Sequence, residues 1–350
     1  MSKCVTIKNV ADYVGVSTAT ISYYLNGRYE NMSEEMRRQI DEAIKTLHYQ
    51  PSNVARSLRV QKTRTIGVIV HGLRGNIGFQ TVNGVCEVLN EEGYDTSIFF
   101  TNDSPQQESK YLQQCMSNRM EGIIMVPTVK ADYPLMREIQ KSGLPIVVAS
   151  RYNQELWPYD SATLDYAGGV AAMMEHMAKK GFTRVAFLVD MEEQTLEEMS
   201  ITKHIRRDAF VQAAERLFRV SAKDYVYYNI RKREQARAAI EDFARRFPDE
   251  KKAVFAINSP TMILAYRALR DLNTHGIRDI ELCGYGGPDW LDLMEPLPVI
   301  LTQPLKDVGR SAAELMLRRL KEPQAEPKAV FLSSEILDLP EPGFSEEAYQ

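Results

Sequence analysis

The sequence predicts two unlike parts: an all-α helix-turn-helix head over the first fifty residues, and behind it an α/β body of two lobes built on parallel sheets. Three observations predict this. Apolar residues at helical spacing, interrupted by a glycine, fill the head. From Thr65 onward, short apolar runs alternate with helical stretches in two successive series. Charge divides at the same place: Met1 to Arg64 hold ten Lys and Arg against six Asp and Glu, a balance of +4, whereas the whole chain is −4 and the remainder −8. A positive head on an acidic body is expected when only one end approaches phosphates.

At 350 residues the chain is too long for one core, and 44% hydrophobic with 26% charged residues is a globular composition. Cys4, Cys86, Cys115 and Cys283 are scattered, which argues against a disulfide framework or zinc site and for reduced thiols. The opening MSKCVTIKNVADY has Lys and Asp where a signal peptide needs an apolar run, and no stretch approaches the ~20 apolar residues of a membrane span. The expectation is a cytoplasmic protein with no membrane partner.

In the head, Val5, Ile7, Val10, Ala11 and Val14 recur at helical spacing, with Thr6 as N-cap. Gly15 breaks this helix and Ser17 caps the next, Thr18 to Leu25, in which Ile21 and Leu25 share a face. Asn26-Gly27 stops it. Ser33 caps a third helix, with Glu34 and Glu35 in its first turn where the dipole favours them. Met36, Ile40, Ala43, Ile44 and Leu47 form its inward stripe. Spacing alone leaves open a three-helix bundle without a DNA role.

The residues themselves, VTIKNVADYVGVSTATISYYLNG followed by LHYQPSNVARSLR, closely resemble the lactose-repressor (LacI/GalR) family of bacterial regulators. The resemblance implies a DNA-binding head at 1–50, a hinge helix and linker at 51–64, an effector-binding and dimerisation body at 65–340, and a flexible tail at 341–350. It places Thr18, Ala19 and Tyr23 on the recognition helix facing base edges, and Thr6, Ser17, Thr20, Ser22 and Asn26 at phosphate contacts. The family usually has Arg where this chain has Tyr23. A phenol cannot grip guanine bidentately, so the operator should differ at that base pair; a place for Tyr23 along the backbone is the other reading. SNVARSLR, with Asn53, matches a hinge helix that orders on operator DNA. Leu58 matches the minor-groove wedge, flanked by Arg56 and Arg59, although an ordinary core leucine is the alternative. Seven residues are too few for a stable isolated helix, which fits ordering coupled to DNA.

The first series of the body reads IGVIV, a helix from Gly84 to Glu92, TSIFF, a helix through Tyr111 to Met116, GIIMVP, Tyr133 to Lys141, and PIVVAS. A second opens with Asp165: a helix to Lys180, VAFLVD, a helix from Ile205 to Phe218, a strand near Tyr225, a helix to Phe247, AVFAI, a helix to Leu272, and ELCGY. Two such series imply two lobes with a ligand crevice at the carboxyl ends of the strands. The body resembles the family's periplasmic-binding-protein-like effector domain. That resemblance implies three crossings between lobes, near Thr163, Leu291 and Leu320, with lobe 1 at 65–163 and 291–320 and lobe 2 at 164–290 and 321–340.

The resemblance also implies effector-binding positions at Arg151, Asp165, Arg206 and Asn258. The family's Gly-Phe-Asp-Asp turn is GYGG here, placing Gly286 where a ligand-binding Asp normally sits; Ser259 replaces another Asp. Near Asn76, HGLRGNIGF is one residue short of the family pattern, and Phe79 is a candidate stacking platform. Trp290 either stacks on a ligand or fills a lobe interface. Two acidic positions suited to neutral sugars are gone while two arginines remain, which leans toward an anionic effector such as a sugar acid or phosphosugar. The competing reading is that Arg151 or Arg206 pairs with a local carboxylate.

The implied protein is a homodimeric regulator, a repressor of a pseudo-palindromic double-stranded DNA operator, with a sugar-derived effector as inducer or co-repressor. A transport-type binding protein would share the lobes but not the basic head. An enzyme lacks support: there is no G-x-G-x-x-G or Walker pattern, no nucleophile motif, and His48, His71, His176, His204 and His275 form no metal-ligand pair. No cofactor is expected.

Overall fold

The computed structural model describes residues 5–25, 27–30, 32–49, 63–72, 77–151, 158–191, 201–219, 221–274, 279–287 and 294–338. The chain divides into two compact units, Met1–Thr63 and Arg64–Gln350.

The first unit contains α1 (Ile7–Val14), α2 (Thr18–Leu25) and α3 (Glu34–Thr46). Each start has a local cause. The Thr6 backbone N–H and hydroxyl both donate to Asn9 Oδ1, at 2.8 and 2.7 Å. Ser17 Oγ accepts from the Thr20 N–H at 3.1 Å, and Ser33 Oγ from the Met36 N–H at 3.2 Å. Helix α1 ends at Gly15, whose φ of 78° is a conformation that glycine adopts without a Cβ penalty. Val10, Ala11, Ile21, Ile40 and Ala43 are buried together, which locks the three helices around one small core.

The second unit holds two six-stranded sheets among its described residues. In chain order its elements are β1 (Thr65–Val70), α4 (Ile77–Glu91), β2 (Asp95–Phe100), α5 (Pro105–Ser117), β3 (Gly122–Met125), α6 (Tyr133–Lys141), β4 (Ile146–Ala149), β5 (Asp160–Leu164), α7 (Tyr166–Lys179), β6 (Arg184–Leu188), α8 (Ile201–Phe218), β7 (Val226–Tyr227), α9 (Arg233–Arg246), β8 (Lys252–Ala256), α10 (Ser259–Thr274), β9 (Ile280–Tyr285), β10 (Val299–Leu301), α11 (Leu305–Lys321), β11 (Ala329–Leu332) and β12 (Ile336–Leu337). The first sheet has the order β11-β5-β4-β3-β1-β2 and is parallel throughout. The second has the order β12-β10-β9-β8-β6-β7, and only β12 runs antiparallel, against β10. Central strands are buried along their whole length, as sheets covered on both faces require.

The crossings between lobes correct the expected boundaries. The chain leaves the first sheet after Leu164, returns between Leu301 and Leu305, and crosses again between Leu332 and Ile336. The second and third crossings thus fall later than Leu291 and Leu320: β10 belongs to the second sheet and β11 to the first. Helix α11 is the element that returns to the first lobe, and a close approach to α4 fixes it there. A Cβ on Gly309 would lie 2.0 Å from the Thr81 carbonyl oxygen, and one on Gly84 the same distance from that of Lys306. The buried Asp160 carboxylate ties α11 to the first sheet by accepting from Arg319 Nε at 2.7 Å, Arg318 Nη1 at 3.4 Å and the Lys328 N–H at 2.8 Å. Helix α4 begins at Ile77, seven residues before the Gly84 expected from the sequence.

Candidate DNA-binding surface and ligand cleft

Helix α2 is two-sided. Ile21 is fully buried, while Ala19 and Tyr23, four residues apart, are exposed, Tyr23 at 53%. Thr18, Thr20 and Ser22 are half-buried, and the Ser17 and Thr20 hydroxyls lie 2.9 Å apart at the N-terminus. Thr6 is exposed at the start of α1. The head therefore presents hydroxyls from the starts of α1 and α2, and the Tyr23 ring from farther along α2. Tyr13, 61% exposed on α1, went unread in the sequence. Asn26, Asn53, Arg56 and Leu58 lie outside the described residues.

In the body, the chemistry collects at the carboxyl ends of the strands. On the first lobe, His71 follows β1, Asn102 and Asp103 follow β2, Pro127 and Thr128 come two and three residues after β3, and Ser150 and Arg151 follow β4. Asn102, Asp103 and Ser150 all have positive φ, at 50°, 58° and 61°, strain of the kind that gathers at binding sites. The Arg151 guanidinium donates to the Pro127 carbonyl and stands 3.6 Å from Asp103. Glu108 is fully buried and accepts from the Thr128 N–H at 2.6 Å and the Thr128 hydroxyl at 3.2 Å. Burial raises the Glu108 pKa above the usual carboxylate range. Burial, then the neighbouring Arg151 charge, lowers that of His71, so its imidazole is neutral at pH 7. His71, Asp103, Glu108 and Thr128 were not singled out from the sequence, because only strand order places them beside Arg151.

On the second lobe, Asp190 follows β6, Asn258 follows β8 and Gly286 follows β9. Asp190 accepts from Lys203 Nζ at 2.7 Å and Asn258 Nδ2 at 2.9 Å, while Asn258 Oδ1 accepts from the N–H and hydroxyl of Thr261. Arg206, on α8, is 4% exposed. Its Nη1 donates to the Ile257 carbonyl at 2.8 Å, and its guanidinium carbon lies 4.2 Å from the Tyr166 ring centroid and 4.1 Å from that of Tyr285. The two centroids are 6.1 Å apart, so the rings form a corner around the cation. The Tyr285 hydroxyl donates to the Tyr166 carbonyl at 3.2 Å, and burial pushes its pKa up, which keeps the phenol neutral. Among the described residues, Arg206 has no carboxylate partner. Arg151 does have one, so the two arginines separate.

Asp165 begins the second lobe as the cap of α7, accepting from the Gly168 N–H at 2.8 Å. A Cβ at Gly168 would meet that carboxylate at 2.1 Å. With Tyr166, Thr202, Ile205 and Phe331 it lines a cavity of about 180 Å³ between elements of both lobes. Arg206, Asn258 and Asp165 thus belong to one connected wall. The Tyr166 hydroxyl reaches the Ser150 carbonyl at 3.5 Å and links this wall to the residue before Arg151. Phe79 is 55% exposed on the first turn of α4 and takes no part in the network; Gly286 is buried. Trp290 and Asn76 lie outside the described residues. Among the described residues, no group of three His, Cys, Asp or Glu is placed to hold a metal, and no helix is long and apolar enough to cross a membrane.

A helix-turn-helix unit joined to a two-lobed α/β body with a ligand crevice defines the class of ligand-responsive transcriptional regulators. Residues 6–52 match the family described as bacterial regulatory proteins, lacI family, and residues 174–337 match a periplasmic binding protein-like domain. The chain thus joins a helix-turn-helix domain of the lacI family to a periplasmic binding protein-like domain. It is 27% identical to the HTH-type transcriptional regulator KdgR of Bacillus subtilis (strain 168), over 95% of this chain and 96% of that protein. It is 29% identical to the HTH-type transcriptional regulator PtxS of Pseudomonas aeruginosa, over 91% and 89%. The fold matches the Lac repressor dimer bound to operator and the anti-inducer ONPF, with a TM-score of 0.78 at 19% identity, over 96% of this chain and 98% of that one.

Proposed function

We propose that this regulator is a homodimeric, cytoplasmic repressor that reads a pseudo-palindromic operator and is controlled by a small, sugar-derived anion held between its lobes. In this reading residues 1–50 bind DNA, 51–64 form the hinge, and 65–340 bind effector and dimerise. Thr18, Ala19 and Tyr23 face base edges; Thr6, Ser17, Thr20, Ser22 and Asn26 contact phosphates; Asn53, Arg56 and Leu58 grip the centre of the site. Phe79, Arg151, Asp165, Arg206, Asn258, Gly286 and Trp290 surround the effector, a sugar acid or phosphosugar. Catalysis has no part in it.

The observation that carries the anionic effector is Arg206. A guanidinium with 4% exposure and no carboxylate partner among the described residues is a charge that a ligand anion would complete. Two aromatic faces stabilise the cation in the meantime. The effector changes operator affinity only through its different affinity for the two lobe arrangements.

The test is a gel-shift series on duplexes selected from a random pool, at several salt concentrations and with a panel of sugar acids and phosphosugars. Specific binding should weaken with salt at a log–log slope of about −0.9 per phosphate neutralised. Leu58→Ala should cost roughly 1–3 kcal/mol on the selected duplex and less on random DNA. Binding indifferent to salt and sequence would end the regulator reading.

A further inference from the structure

Buried polar atoms without partners are rare in folded proteins and mark places where a ligand or bound solvent completes the hydrogen bonding. Among the described residues, three such atoms belong to groups near the carboxyl ends of the strands: Nδ1 of His71, Oγ of Ser150 and Nε of Arg206. They come from three separate elements. His71 and Ser150 follow β1 and β4, parallel strands of one sheet separated only by β3, so both stand on the same carboxyl-end rim. Arg206 lies on α8 of the second lobe, and Tyr166 links it to Ser150, with its ring against the Arg206 guanidinium and its hydroxyl 3.5 Å from the Ser150 carbonyl. Ser150 is also held at a φ of 61°, its N–H donating to the Ala162 carbonyl at 2.8 Å. That backbone is strained for a residue with a Cβ.

We infer that His71 and Ser150 are specificity-determining residues that read oxygen atoms of the same ligand whose anionic end meets Arg206, and that this ligand is a carboxylate carried on a hydroxylated carbon chain. The inference rests on the proposed effector site and narrows its chemistry. A serine hydroxyl and an imidazole nitrogen both recognise hydroxyl or carbonyl oxygens. The other cations beside the three groups are engaged: Lys203 with Asp190 at 2.7 Å, and Arg151 with Asp103 and the Pro127 carbonyl. Burial and Arg151 keep His71 neutral, so the first-lobe rim adds no further positive charge. One guanidinium without a carboxylate partner among the described residues matches a monoanion, where a phosphate ester, close to two negative charges at neutral pH, would ask for a second cation.

The experiment uses the full chain and three probes: D-gluconate, uncharged D-glucose and D-glucose 6-phosphate. Binding is followed by thermal shift and calorimetry. The expected result is that gluconate binds the wild type more tightly than either other probe. Ser150→Ala should weaken gluconate about tenfold while leaving the melting temperature of the unliganded protein unchanged or higher, because it deletes an atom that lacks a partner. A serine with only a structural role would give the opposite pattern: a lower melting temperature and unchanged affinity. His71→Gln, which keeps a neutral hydrogen-bonding end, should bind within threefold of wild type, whereas His71→Leu should lose about tenfold. The proposal is overturned if gluconate does not bind the wild type, if either of the other probes binds better, or if Ser150→Ala shows the structural pattern. Salt-sensitive, sequence-selective operator binding by the wild type is measured in parallel. It decides the regulator reading independently of these outcomes.

Discussion

The two lobes each set an arginine at the carboxyl ends of their strands, and the two are held in opposite ways. Arg151 is a brace: Asp103, the Pro127 carbonyl and the loop fixed by Glu108 surround it. Arg206 sits in a corner of two tyrosine rings with one backbone acceptor and no carboxylate partner among the described residues. The residue type is the same, and the surroundings decide whether the charge is spent inside the protein or left for a ligand. Sequence resemblance marked both as effector-binding without distinguishing them.

That contrast is easiest to break at Arg206. Arg206→Met should cut affinity for an anionic effector by roughly 10- to 150-fold, the scale of a lost hydrogen bond to a charged group. Calorimetry checks this, and a loss below threefold would move the anion site elsewhere. The next effect concerns the brace. Glu108→Ala leaves the Thr128 N–H and hydroxyl buried without their acceptor and should cost about 1–3 kcal/mol of stability in urea unfolding. A smaller cost would mean that the first-lobe rim does not depend on that carboxylate. Asp103→Asn should cost less, about 0–1 kcal/mol, since Asp103 is 60% exposed and solvent screens the pair. If Asp103→Asn also tightened effector binding, Arg151 would be a second ligand cation released from its brace.

The smallest effect is a slope. The pKa of His71 lies below its usual value in the folded state, so the unfolded chain takes up its proton first as pH falls. His71 therefore opposes unfolding fully above about pH 6.5, and that contribution is lost as pH drops toward its lowered native pKa. His71→Gln should flatten the stability profile over this window, measured by urea midpoints from pH 5 to 7.5. An unchanged slope would place a different group in control.

The head was legible residue by residue because its signals are local. Thr6, Ser17 and Ser33 act within three residues, Gly15 supplies its own turn, and Val10, Ile21, Ile40 and Ala43 fall at helical spacing. The body's alternation of strands and helices was equally plain. The rim was not. Glu108 and Thr128 are twenty residues apart, Lys203 and Asp190 thirteen, and Asn258 and Asp190 sixty-eight. No periodicity connects such pairs, and the later crossings were misplaced for the same reason, since β10 and β11 are three- and four-residue strands whose sheet is chosen by partners far away in sequence.

What the sequence alone determined is the division into a basic three-helix head and an acidic α/β body, because capping, helical spacing and charge act over a few residues. What only the tertiary structure decided is which buried groups find partners. His71 and Ser150 read as unremarkable letters, and Arg206 as one of two like arginines, until the parallel sheets bring strand ends together and leave one polar atom of each without a hydrogen-bond partner among the described residues. Satisfaction of a buried polar atom depends on everything packed around it, and only the folded chain supplies that.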